Sequence, residues 1–143
     1  MAAVAAWDEF EDNPLLDCTA PGMPSLMSNP YPMEFIQRDA SIELRFEEFD
    51  AVRTIHMKDA SDPSDIPASN LGYSVGHWEG ETLVVSTTRI DWPYFNRVGV
   101  PQSETVEVIE RFTPVEDEAR MDYHLTVTDP ATLVEPFDWD GYW

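Results

Sequence analysis

From residue 35 onward, hydrophobic and polar positions alternate mainly with period two, the signature of half-buried strands. Ile42, Leu44 and Phe46 alternate with Glu43, Arg45 and Glu47, and a second strand at 51–57 follows a tight connection at Phe49-Asp50. Segments 71–78 and 81–89 flank Glu79-Gly80, which reads as a two-residue hairpin turn with glycine supplying a positive φ. Segments 105–112 and 120–128 pair across 114–118, and Asp129-Pro130 ends the last of them. Two loops separate these strands. One is polar, at 59–70, with Pro63 and Pro67; the other, at 91–102, carries Trp92, Pro93, Tyr94, Phe95 and Pro101.

The first third of the chain differs in character. Residues 11–34 hold Pro14, Pro21, Pro24, Pro30 and Pro32 together with Gly22, a density that precludes a regular helix or a central strand. This stretch reads as an irregular strap laid over the fold, preceded by at most one short helix at 2–10. Six strands joined largely in sequence order describe an antiparallel meander, and a sheet of that length tends to curl and cover its edges. The expected fold is mainly β: a lipocalin-like barrel or half-barrel, completed by short strands from the strap or the tail. A two-sheet sandwich is the alternative. The whole chain, 1–143, reads as a single domain with a strap at 1–34, a β body at 35–134 and an acidic aromatic tail at 135–143.

In a curled sheet the apolar parity of a strand marks its interior, so a polar residue on that parity is informative. Arg53 shares parity with Ala51, Ile55 and Met57. His77 shares it with Leu71, Tyr73 and Val75, and Glu110 with Val106, Val108 and Phe112. The next strand aligns Met121, Tyr123, Leu125 and Val127. Arg53, His77 and Glu110 are therefore the candidate polar cluster, with Tyr73 and Tyr123 as phenolic neighbours and Met57, Val75 and Met121 as apolar lining. As a functional site, Glu110 or His77 would serve as a base and Arg53 would hold an anionic group. As a structural feature, Arg53 and Glu110 would form an internal ion pair closing the core, with His77 hydrogen-bonded at a strand end.

Charge narrows the partners. Eight Lys and Arg against 28 Asp and Glu give a net charge of −20, which disfavours nucleic acid and anionic lipid surfaces. Only Lys58 is a lysine, a composition that fits a salt-rich or extracytoplasmic setting or a bias of the genome. Five Trp, seven Phe and five Tyr supply material for a core and set the chain apart from acidic disordered tails. No apolar run approaches the ~18–20 residues needed for a membrane-spanning helix. The first seven residues lack the basic start and the apolar length of a signal peptide.

Other motifs are weaker. Asp59, Asp62 and Asp65 recur every three residues, but not at calcium-loop spacing, and read as a solvated acidic loop. His56 and His124 fall on polar parity, and three scattered histidines give no metal signature. Cys18 has Asp17 beside it, which opposes thiolate formation, so it reads as a packing residue. No metal and no cofactor are expected. The aromatics of the 91–102 loop, with Phe137, Trp139, Tyr142 and Trp143 of the tail, would form either a binding face or a plug at the rim.

Cys18-x-x-Pro21-Gly22-x-Pro24, Asn29-Pro30-Tyr31-Pro32, Tyr73-Ser74-Val75-Gly76-x-Trp78-Glu79-Gly80, Glu110-Arg111-Phe112 and Asp129-Pro130 occur in this order. Together they resemble a family of small, largely uncharacterised exported bacterial proteins with a Pro-rich segment before a β-rich body. The resemblance implies export, to the periplasm or beyond the cell, and no named activity. Where that family reads Pro-His-Ser-Glu, this chain has Pro101-Gln102-Ser103-Glu104, so any chemistry of that histidine is in doubt here. The first expectation is a small-molecule-binding β-barrel of the cell envelope, with an apolar or aromatic ligand among Met57, Tyr73, Val75, Met121 and Tyr123. Its polar end would lie near Arg53, His77 or Glu110. The second is a cofactor-independent isomerase, lyase or hydrolase in the same cavity. The third is a homo-oligomeric interaction module using the tail and the 91–102 loop.

Overall fold

The computed structural model describes residues 7–57 and 61–143. Eight strands form one sheet in sequence order: β1 (Met33–Gln37), β2 (Ser41–Phe46), β3 (Val52–His56), β4 (Tyr73–Glu79), β5 (Thr82–Thr88), β6 (Glu107–Val115), β7 (Arg120–Thr128) and β8 (Phe137–Tyr142). The sheet curls into a half-barrel with β1 and β8 at its edges. The two strands beyond the predicted six come from the strap boundary and the tail. Of the N-terminal helix expected at 2–10, residues 2–6 lie outside the described residues. Trp7 and Asp8 are irregular and residues 9–11 form a turn instead, in which the Asp8 side chain accepts from the Phe10 N–H at 2.8 Å.

Every neighbouring pair is antiparallel except β3 and β4, which run parallel and pair only at Ile55↔Ser74 and His56↔Val75. The cause lies just before β4. Residues 69–72 are drawn towards the end of β5, because the Ser69 N–H donates to the Arg89 carbonyl and the Asp91 N–H to the Ser69 carbonyl. The β4–β5 hairpin turns one residue later than the pattern predicts: Glu79 pairs with Thr82, leaving Gly80 and Glu81 as the turn, with Gly80 at φ +63°. Pro114 is accommodated inside β6 because β5 pairs with β6 only as far as Phe112.

The interior is filled from the concave side, on the predicted parity in β2, β3, β6 and β7 and by Leu83 and Val85 of β5, for which no parity is predicted. Ile42, Leu44 and Phe46 of β2, Ile55 of β3, Leu83 and Val85 of β5, Val108 and Phe112 of β6, and Tyr123, Leu125 and Val127 of β7 are all buried. The strap differs from its expected place over the fold. Residues 21–27 are buried, and Met23, Leu26 and Met27 belong to the core itself. Side chains of that size contribute about 1.5–3 kcal/mol each on full burial, so the strap supplies a substantial share of the core.

The tail closes one side of the curl. Phe137, Trp139 and Gly141 pair with Val127, Leu125 and Tyr123, so they share the inner face, while Asp138, Asp140 and Tyr142 face outward. Trp143 continues the pairing through reciprocal backbone hydrogen bonds with Met121 and packs on Phe112 and Tyr123. Across the concave face, Phe35 of β1 meets Phe112 of β6 edge-on at 5.4 Å, which draws the two halves of the sheet together.

Gly22 is where the strap passes closest to the rest of the molecule. A Cβ there would lie 2.5 Å from the Asn70 carbonyl oxygen and 2.6 Å from the Trp92 side chain. Gly22→Ala is therefore expected to destabilise the fold by about 1–3 kcal/mol, read as a lower urea midpoint. An unchanged midpoint would show that the strap is not locked at this crossing.

Candidate functional site

Four of the most buried polar residues among those described converge inside the half-barrel. Arg53 on β3 and Glu110 on β6 are 2% and 0% exposed and form a two-pronged ion pair. Arg53 Nη1 donates to Glu110 Oε1 at 3.0 Å, and Nη2 donates to Oε2. The remaining guanidinium hydrogens are also used. Nε donates to Ser74 Oγ of β4 at 3.0 Å, Nη2 to Thr87 Oγ1 of β5 at 2.7 Å, and Nη1 meets Met27 Sδ of the strap at 3.8 Å. All five arginine donors thus have partners. Tyr123 of β7 donates its hydroxyl to Glu110 Oε1 at 2.9 Å. Burial raises the Tyr123 phenol well above its ordinary value; the Glu110 charge and hydrogen bond add to this, and Arg53 opposes it.

Arg53, Glu110 and Tyr123 therefore meet, but His77 does not join them. Its imidazole stands on the outer face with 64% of the side chain exposed and lies 3.2 Å from Glu79. The parity of β4 is the reverse of the one expected: Ser74 and Gly76 point inward, Tyr73 and Val75 outward. The physical reason is that the start of β4 is covered on both faces. Tyr73 is buried on the outer side against the His56 ring, and its hydroxyl accepts from the Ser61 N–H at 2.9 Å. Inside, the missing side chain of Gly76 leaves room for Ile55 and Met57, whose Cγ2 and Sδ atoms would sit 2.7 and 2.8 Å from an added Cβ. Tyr73 and Val75 consequently do not share a cavity with Met57, Met121 and Tyr123.

Ser74 and Thr87 are absent from the sequence-based candidates. A signal exists for Thr87, which continues the inward parity of Leu83 and Val85. For Ser74 the apolar residues on either side point to the wrong face.

The space open to a ligand lies elsewhere, at one end of the concave face. An apolar recess of about 190 Å³ is walled by Phe35, Ile42, Leu83, Phe112 and Met121, with Trp78, half exposed, on its rim. It adjoins a more polar recess of about 250 Å³ that shares Ile42, Trp78 and Gln37 and adds Met57, Arg38, Asp39 and His77. Met57, His77 and Met121 of the expected lining thus border this mouth, whereas Arg53, Glu110 and Tyr123 lie outside it.

The remaining candidates are structural in their contacts. Asp62 caps the turn at Pro63–Asp65 by accepting from Ser64, and Asp59 lies outside the described residues. His124 lies 2.8 Å from Asp140 across β7 and β8, and no group of three or more His, Cys, Asp or Glu among the described residues could hold a metal ion. Cys18 is exposed rather than packed, at the left-handed end of the Pro14–Asp17 turn. In the 91–102 loop, Trp92 is buried and Phe95 packs on Phe137 of the tail at 5.0 Å. Gln102 donates from Nε2 to the Met23 and Trp92 carbonyls at 2.9 and 2.7 Å, tying the loop to the strap. Asp129 gathers the Ser103 N–H and hydroxyl, the Thr132 hydroxyl and the Ala131 N–H. Burial alone would raise its carboxyl, but these donors outweigh burial and hold it below the usual aspartate range. No helix among the described residues is long and apolar enough to cross a membrane.

Comparisons with protein-family models, curated proteins and solved structures gave no match to this chain.

Glu110→Gln should destabilise the fold by about 3–5 kcal/mol, because it leaves the Arg53 charge buried without its counter-ion. The double variant Arg53→Met, Glu110→Leu should recover most of that loss in the same denaturation assay. If the single variant unfolds at the wild-type midpoint, the pair does not hold the interior. At Asp129 the folded state favours the charged carboxylate, so its stabilisation is complete above the ordinary aspartate value and is lost as pH falls through the lower, folded one. The stability advantage of wild type over Asp129→Asn should therefore be constant above about pH 5 and narrow below about pH 4. An advantage that widens on acidification would refute this assignment.

Proposed function

We propose that the protein is a small-molecule-binding half-barrel of the cell envelope, taking an apolar or aromatic ligand at the open end of its concave face. The apolar recess under Trp78 carries the proposal. A dry cavity of about 150 Å³ lined by Leu, Ile and Phe suffices for benzene, so about 190 Å³ lined by Phe35, Ile42, Leu83, Phe112 and Met121 suits a single ring or a short branched hydrocarbon. The adjoining recess offers Gln37, Arg38, Asp39 and His77 to a polar substituent. A concave apolar wall with a few polar groups at its margin is the usual form of a small-ligand site. The envelope location is supported by the motifs between Cys18 and Pro130 that resemble those of exported proteins, and by the strongly acidic composition.

General acid–base chemistry at Glu110 forms no part of this proposal. Its carboxylate has no exposed surface, and both oxygens already accept from Arg53, with Tyr123 adding a third bond. A substrate would first have to break a buried ion pair.

The proposal is tested by methyl NMR with p-cresol as the probe. Binding should shift the Ile42, Leu83 and Met121 methyl resonances, and Trp78→Ala should weaken it about five- to tenfold. Trp78 is half exposed, so its removal leaves the core packing in place. Shifts confined to the surface, or none with p-cresol at about 1 mM, would remove the recess as a ligand site.

A further inference from the structure

A second opening lies in the wall of the sheet, where β3 and β4 separate. It measures about 450 Å³ and runs between residues 51–54 of β3 and residues 69–73 before and at the start of β4, with Ala20 and Pro21 of the strap beside it. It accompanies the short parallel pairing described above: Ser69 is bonded to Arg89 and Asp91 just beyond β5, the Asn70 carbonyl to Met23 of the strap and the Gly72 N–H to the Ser69 carbonyl, so this segment is held away from β3.

The β3 side of this slit is an unused strand edge. The Phe46 N–H donates to the Ala51 carbonyl and the Met57 N–H to the Ala40 carbonyl. Odd-numbered residues of β3 therefore turn their backbone groups towards β2, and Val52, Thr54 and His56 turn theirs towards β4. Pairing with β4 starts only at Ile55↔Ser74. The Val52 N–H and C=O and the Thr54 N–H are left facing the slit with no strand partner among the described residues. Val52 and Thr54 are both exposed. Free backbone donors and acceptors at strand spacing match the complementary row of groups on another extended chain.

Charge defines that partner further. Among the described residues, none that borders the slit is Asp or Glu, although the chain carries 28 of them. At its two ends the acids return: Glu47 and Asp50 precede β3, with Glu48 between them already paired to Arg97, and Asp62 and Asp65 follow in the loop whose Ser61 is bonded to Tyr73. A neutral groove with acidic ends, in a chain of net charge −20, complements an uncharged extended segment flanked by basic residues. Arg53 does not alter this, because its side-chain donors are all engaged inside.

We propose that the β3 edge at Val52–Thr54 is a docking site for an extended peptide that carries basic residues on either side of a short uncharged stretch, bound by strand addition. A rise of about 3.3 Å per residue means that three residues of the peptide span the free edge.

The experiment uses the full chain and a synthetic acetylated peptide, Lys-Ala-Val-Ala-Lys amide, followed by amide hydrogen exchange and NMR titration. The Val52 and Thr54 amides should be slowed about tenfold or more on binding. A peptide of the same sequence with alternate backbone nitrogens methylated should bind at least about tenfold more weakly, since it keeps the charge but cannot pair. Replacing both lysines by glutamate should abolish binding. Three outcomes would overturn the proposal: no binding by the lysine peptide, equal binding of the methylated form, or protection that appears instead at Met33–Gln37 of β1 or Phe137–Tyr142 of β8. The last would place strand addition at the outer edges of the sheet.

Discussion

The ion pair between Arg53 and Glu110 is the constraint on which the rest of the half-barrel depends. The network around it draws one member from each of five successive strands, Arg53 from β3, Ser74 from β4, Thr87 from β5, Glu110 from β6 and Tyr123 from β7, with Met27 of the strap as a sixth contact. A buried pair of this kind adds little stability over an apolar replacement of the same volume. What it does impose is register. A slip of one residue in any of these strands would turn its member to the outer face and leave the others buried and unpaired, at a cost of several kcal/mol. The requirement is strongest at β3–β4, where two paired residues supply almost no ladder and the Arg53–Ser74 hydrogen bond connects the strands through their side chains.

A half-barrel has an exposed concave face and two edges, and this chain deals with both using its irregular ends. The strap brings Met23, Leu26 and Met27 into the concavity, while Gln102 and Asn70 hold its backbone through the Met23 carbonyl and N–H. The tail adds β8 and places Trp139 and Trp143 over Tyr123. The core is thus completed by segments at opposite ends of the chain, which makes its assembly depend on contacts remote in sequence.

What can be read from the sequence follows from how many faces of a strand are covered. Where one face is packed and the other is wet, parity identifies the inside: Arg53, Glu110 and Tyr123 lie on the inner face that parity indicates, because β3, β6 and β7 alternate cleanly. β4 begins with both Tyr73 and Ser74 buried, so its apolar residues mark the face covered by the 61–72 loop, and parity assigns His77 to the wrong side. The buried strap is hidden for a different reason. Prolines in 11–34 exclude regular structure, but irregular backbone is not the same as surface backbone, and Met23 and Met27 are the hydrophobic residues that could show it. The slit is beyond a pattern argument altogether, since it borders a segment whose Ser69 bonds to Arg89 and Asp91 and whose Asn70 bonds to the strap, away from β3.

The separation of roles inside the fold bears directly on where recognition can occur. In the buried network every arginine donor is occupied and both Glu110 oxygens are used, so it has no capacity left for a ligand without losing the register it sets. Capacity remains where the sheet is incomplete: at the end of the concave face, where apolar side chains lack a covering layer, and between β3 and β4, where backbone groups lack a strand. Among the described residues, no carboxylate borders either the apolar recess or the slit, in a chain that carries 28 of them. Acidic side chains are hydrated most cheaply on convex surface, so concave sites free of them expose apolar and backbone groups to whatever arrives. The two openings ask for different partners, because one offers dispersion and apolar area and the other directional hydrogen bonds. The slit in particular is built by β3: Arg53 fixes the strand from inside, and the neighbours of Arg53, Val52 and Thr54, present its free edge outside.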